Sequence, residues 1–192
     1  MHPRRIRLLL LLSSLLSVAP GCRKGEITVY RVPKEAAAPL TMAGPSAGHP
    51  NIDWTVPQGW TEQASSGMRA GSFAAKASDG SVVDISVVPL AGEAGGELAN
   101  VNRWRGQLNL PPTTQEGLSS VVKSTRIGRY DARVVEFSSA DGKRLLAAVL
   151  KNGATSWFFK ATGSDKAVKE LRPAFLSFVE SARFHDAGAR HE

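Results

Sequence analysis

Cysteine is almost absent from this chain of 192 residues: Cys22 stands alone, so no disulfide closes within the chain and no cysteine-based zinc site can be assembled. Histidine is nearly as scarce. His2, His49, His185 and His191 lie toward the two ends, and none falls in a stretch that reads as core, so Ser-His or Cys-His catalysis would have to recruit a peripheral ring. Paired carboxylates are missing as well. Asp84 sits in an apparent strand with no obvious second acid beside it, which favours a structural role over hydrolysis. The glycine-rich Gly92-Glu-Ala-Gly-Gly96 lacks the Lys-Ser/Thr of a phosphate-binding loop, and Glu93 and Glu97 would repel an anion there; it reads as a strand-to-helix turn. The longest apolar run, Leu8 to Val18, falls well short of the about 20 residues that cross a bilayer. The expectation is therefore a chain with no catalytic residue, no metal site and no cofactor.

What is present begins at the N-terminus. Arg4, Arg5 and Arg7 precede the apolar run, which ends in Ala19-Pro20-Gly21-Cys22, so residues 1–21 read as a secretory signal peptide. The Gly-Cys junction resembles a bacterial lipobox, and that resemblance implies that Cys22 receives lipid and becomes the mature N-terminus. Ala19 and Pro20 stand where the lipobox usually carries Leu or Val and then Ala, Ser or Thr. The alternative is ordinary signal cleavage, which would set Pro20 beside the scissile bond and leave Cys22 a free thiol. A diacylated cysteine meets the two-chain requirement for stable anchoring, each buried CH₂ contributing about 0.8 kcal/mol.

Loss of residues 1–21 removes three arginines and no acid, which takes the formal charge from +7 to +4. A charge of this size argues only weakly for anionic partners, and export separates the chain from nucleic acid, so none is expected. Residues 22–50 read as a juxtamembrane tether rich in Ala, Pro and Gly in its second part. Within it, the alternation over Glu26 to Glu35 fits either a partly ordered linker or a short strand able to add to a partner's sheet edge.

Residues 51–185 are long enough for one domain, and 186–192 read as an unstructured tail. The domain opens with Trp54-Thr-Val-Pro-Gln-Gly-Trp60, two indoles suited to plugging the end of a sheet. Strands are predicted over 68–76 and 81–89 around the tight-turn pair Asp79-Gly80. A helix follows over 97–108, with Leu98, Val101, Trp104 and Leu108 on one face and Pro111-Pro112 as its stop. Four more strands, 118–127, 130–138, 143–151 and 155–162, are joined by Gly128-Arg129, Asp141-Gly142 and Asn152-Gly153, as in an antiparallel meander. Both faces of the later strands are apolar, Leu146, Ala148 and Leu150 against Leu145, Ala147 and Val149, so the sheet should be covered on both sides. The covers are that helix and a second one over 164–182, capped by Ser164, with Val168, Leu171, Phe175, Phe178 and Val179 inward and Pro173 expected to kink or break it. The predicted class is α+β: an antiparallel sheet of about six strands between helices.

That order of elements, closing on Phe175-Leu-Ser-Phe-Val-Glu-Ser-Ala-Arg-Phe184, resembles the PsbP-like sandwich shared by a photosystem extrinsic subunit, a Ran-binding import factor and DcrB-type bacterial lipoproteins. The resemblance covers roughly residues 52 to 185. The stretch from Gly95 to Leu108, with its Ala-Asn-Val-Asn-Arg-Trp-Arg core, is similar to one in uncharacterised bacterial lipoproteins. Neither likeness supplies a catalytic residue. The broader fold implies binding or assembly rather than chemistry.

Two surfaces are candidates for that binding. On the first helix Asn100, Arg103 and Gln107 are expected opposite the apolar face, flanked by Asn102 and Arg105, as a partner-binding surface or as braces for the domain. A pocket at the sheet end near Trp54, Trp60, Gly95 and Gly96 is the second. Lys143, Arg144, Lys151 and Lys160 fit either a basic rim facing anionic lipid or polysaccharide, or ordinary charges at strand ends. The functional expectation is a non-enzymatic protein, lipid-anchored at the cell envelope through Cys22, that binds a protein partner and supports a membrane-associated complex. The alternatives are a small-ligand module and, last, an enzyme of unknown type.

Overall fold

The computed structural model describes His49 and residues 51–185. The signal segment, Cys22, the Glu26 to Glu35 stretch, nearly all of the tether and the tail 186–192 lie outside the described residues. Seven strands form one antiparallel sheet: β2 (Trp60–Glu62), β3 (Gly71–Lys76), β4 (Val82–Ala91), β5 (Val122–Ile127), β6 (Tyr130–Ser138), β7 (Lys143–Asn152) and β8 (Thr155–Ser164). Across the sheet the order is β2-β3-β4-β8-β7-β6-β5. The hairpin of β3 and β4 is thus extended by a meander that enters at the far edge and works back until β8 pairs with β4. The extra strand beyond the six expected is the short edge strand β2. A two-stranded ribbon, β1 (Ile52–Asp53) with β9 (Arg183–Phe184), ties the ends of the domain together.

The chain order explains both covers. Between β4 and β5 the chain must travel from the middle of the sheet to its edge, and it does so through α1 (Glu97–Gln107) and a single turn, α2 (Leu118–Val121). After β8 it returns over the opposite face as α3 (Asp165–Glu180) and finishes in β9. Period-two alternation then sorts the strand side chains between two cores. Val83, Ile85, Val87, Leu146, Ala148, Leu150 and Phe159 meet Val168, Phe175, Phe178 and Val179 of α3. Val135, Phe137, Leu145, Ala147 and Phe158 meet Val101, Trp104 and Leu108 at α1.

Ser164 caps α3, its Oγ accepting from the Ala167 amide at 3.2 Å. Pro173 does not break this helix: it lies on the exposed side, and buried Val168 and Phe175 clamp the turns on either side. Two strand boundaries differ from expectation. Residues 118–121 are helical because Ser120 donates to the Gly117 carbonyl at 2.7 Å and buried Leu118 is drawn beneath α1's end. The strand expected from Met68 begins at Gly71, Met68 being left 70 % exposed.

Trp54 lies over Gly71, where an added Cβ would come within 2.8 Å of the indole Cζ2. Trp60 packs at a tilt against Phe178 with ring centres 5.2 Å apart, and both indoles pack against the α3 core.

Candidate functional site

The chain leaves β4 for α1 through Ala94, Gly95 and Gly96, all with positive φ (50°, 88° and 89°), a sharp turn that supplies no side-chain cap for the helix. Asn100 does the stitching instead. Its Nδ2 donates to the carbonyls of Ala94 (3.2 Å) and Gly96 (2.8 Å), and its Oδ1 accepts from Nη2 of Arg103. Asn100 is therefore buried, contrary to the outward placement expected. At 3.6 residues per turn it stands only about 40° from Trp104, so the inward stripe is wider on that side than the apolar residues alone suggest.

The other end of α1 is braced in the same way. The Asn102 carboxamide bonds the backbone of Thr113 twice, and Arg105 donates from Nε to the Pro111 carbonyl at 2.6 Å while lying over the Phe137 ring, 5.4 Å from its centre. Of the five residues expected to form a recognition surface, Asn100, Asn102 and Arg105 are thus engaged with their own chain. Arg103 and Gln107 remain exposed.

Between α1 and the sheet lies a cleft of about 230 Å³. Val101, Trp104, Val135, Val149 and Phe158 form its apolar walls. Two ion pairs stand at its rim, Lys151 to Glu93 at 2.5 Å and Arg133 to Glu97 at 3.5 Å. The one nucleophile-type group there, the Ser156 hydroxyl, donates to the Gly92 carbonyl at 2.7 Å. The arrangement suits capture of an apolar group, the volume exceeding the about 150 Å³ that holds a benzene ring.

The pocket expected from Trp54, Trp60, Gly95 and Gly96 does not form. The two indoles belong to the α3 core and the glycines to the α1 side, so the sheet stands between them. The basic rim is largely neutralised: Lys143 pairs with Asp141 at 3.1 Å, Arg144 with Glu136 at 2.8 Å and Asp165 at 2.7 Å, and Lys151 with Glu93. Lys160 faces the α1 side, where burial pushes its amine below the usual lysine value, Asp84 opposing the shift and Arg69 and Arg103 adding to it. Asp84 points away from the Val83, Ile85 and Val87 face and takes Arg69 in a two-point pair at 3.0 and 3.1 Å.

A histidine pair was not foreseen. His49 stands edge-on to Trp157 at 5.6 Å, and His185 places Nε2 2.7 Å from Asp53 Oδ2, both bordering an opening of about 420 Å³ at the sheet end. No local signal marks them, because the pairing of β1 with β9 is what brings the two ends of the domain together. Among the described residues no group of three or more His, Cys, Asp or Glu is placed to hold a metal, and no helix is long and apolar enough to cross a membrane.

No family model matches the chain, and no curated protein matches it. Solved structures do. A protein of Bacteroides thetaiotaomicron is similar at 12 % identity and a TM-score of 0.44 over 73 % of this chain, which spans only 47 % of that protein's length. LpqN of Mycobacterium tuberculosis, described as involved in cell envelope biogenesis, is similar at 16 % identity and 0.45, covering 73 % of this chain and 88 % of its own. The cyanobacterial PsbP of Synechocystis is similar at 13 % identity and 0.43, covering 77 % of this chain and all of its own. The likeness to each is one of fold alone.

Proposed function

We propose that this protein is a non-catalytic binding factor of the cell envelope, held at a membrane through lipid on Cys22, that captures an apolar group of its ligand in the cleft between α1 and the sheet. The cleft itself carries the reading: apolar walls open to solvent, framed by charges already paired with one another. Such a site offers burial to a ligand and keeps no free base or nucleophile to act on it. The signal segment and the Gly21-Cys22 junction support the location. A short tether restricts the domain to ligands and partners that share its membrane, which suits a role in assembling or supporting a membrane complex.

The test uses the full chain, expressed in a bacterium and purified from detergent-solubilised envelope. Native mass spectrometry should show a bound small molecule or a stoichiometric protein, and Val149→Trp, which fills the cleft, should abolish its retention while the circular dichroism spectrum stays unchanged. Retention insensitive to Val149→Trp would refute the cleft as the site, and an unmodified Cys22 would remove the anchor.

A further inference from the structure

Trp104 and Phe158, in edge-to-face contact at 6.0 Å, form a wall with an opening on each side. Beyond the cleft already described, a second depression of about 200 Å³ is floored by Val88, Leu90 and this same aromatic pair. Its sides carry three cations, Arg69 from the loop before β3, Arg103 from α1 and Lys160 from β8. One acid stands near them. Asp84 is occupied by the two-point pair with Arg69, and among the described residues neither Arg103 nor Lys160 has a carboxylate within 4 Å. Their partners are neutral: Arg103 donates to Asn100, and Lys160 Nζ lies 3.3 Å from the Gln107 carbonyl oxygen. Like charges that converge over an apolar floor repel one another and lose hydration, so the cheapest way to relieve the site is an oxyanion placed among them.

An isolated charge pocket would fit any small anion. Here the floor is apolar, and Met68, 70 % exposed, stands at the mouth. The ligand must satisfy both halves. We propose that this depression binds a single-chain amphipathic oxyanion, a carboxylate or phosphate carried on an apolar chain, with its head between Arg103 and Lys160 and its chain over Val88, Leu90 and Phe158. Arginine supplies a two-point grip on such a head, and lysine a movable point charge. The site is separate from the first cleft and does not depend on what that cleft holds.

Lys160 provides the readout, because its amine lines the open depression and is shielded from an amine-reactive ester when an oxyanion sits against it. The full chain, set in discs of neutral phosphatidylcholine, is treated with an amine-reactive ester, and modification of Lys160 is followed by peptide mass spectrometry. Octanoate and octyl phosphate should each protect Lys160 in a saturable way, and Arg103→Gln, its fold checked by circular dichroism, should raise the concentration needed at least 10-fold. Equal protection by octanol would overturn the charge requirement. Equal protection by inorganic phosphate would overturn the apolar one. Protection that appears only in discs of anionic lipid would reassign the patch to a membrane surface, and no protection by any probe would refute the site.

Discussion

Asn102 and Thr113 are joined by a closed pair of hydrogen bonds: the side-chain Nδ2 donates to the Thr113 carbonyl at 3.0 Å, and the Thr113 amide donates back to Oδ1 at 2.7 Å. One carboxamide thereby fixes the loop that follows α1 against the helix itself. Asn102→Ala removes both bonds and leaves a half-buried amide and carbonyl to find water, so stability should fall by about 1–2 kcal/mol. Asn102→Asp keeps the acceptor, loses the donor, and should recover part of that loss. Urea denaturation of the two variants checks the order.

Arg105 and Arg103 share a helix and differ in consequence. Arg105 holds the Pro111 carbonyl and covers Phe137, whereas Arg103 is exposed and bonded to Asn100. Arg105→Ala should cost about 1–2 kcal/mol through lost packing and an unpaired carbonyl. Arg103→Ala should cost less than about half of that. Thermal melts of the single variants separate the brace from the surface group.

Pro173 withholds an amide from the Lys169 carbonyl in mid-helix, and α3 continues regardless because Val168, Phe175 and Phe178 are buried against the sheet. An interior proline costs a helix about 3 kcal/mol. Pro173→Ala restores the bond on the exposed side without touching the core, so the melting temperature should rise by several degrees.

Two groups make the domain more stable as pH rises, one in the acid range and one in the alkaline range. The Asp165 carboxyl is held below its ordinary value by the side-chain bonds of Lys169 and then Arg144. A depressed acid stabilises the fold above its unfolded value, near 3.9, and that contribution is lost as pH falls through the folded value. The stability gap between the parent protein and Asp165→Asn should therefore narrow between about pH 5 and pH 2, as urea midpoints would show.

Lys160 acts in the same direction at the alkaline end, as the relief of a cost. Its folded value lies below the unfolded one, near 10.4, so the unfolded chain binds the extra proton, and the cost of the charged amine is present at neutral pH and relieved as pH rises through the folded value. Lys160→Met should be more stable than the parent at pH 7 and lose that advantage toward pH 10, a trend that denaturation across this range would follow.

Much of the fold was legible because it is written in local period. Strands apolar on both faces, such as Lys143 to Asn152, need cover on both sides, and only two helices were there to provide it. Ser164 announced its helix by cap chemistry. The site was less legible. Asn100, Asn102 and Arg105 are polar residues on an amphipathic helix, and although the helical period sets Asn100 near Trp104, it does not say that their partners are the carbonyls of the flanking loops. Trp54 and Gly95 both lie at turn-rich stretches, and their separation by the sheet follows only from strand order.

By itself the sequence determined the class of the domain, the faces of its strands and helices, and the poverty in cysteine and core histidine that sets its chemical limits, because periodicity and composition act over a few residues at a time. The tertiary structure alone decided which charges are paired, which amides are spent on loops, and that Arg69, Arg103 and Lys160 gather over one apolar floor. Those three come from a loop, a helix and a strand far apart in the chain, and only the crossing of α1 over the pairing of β4 with β8 brings them together.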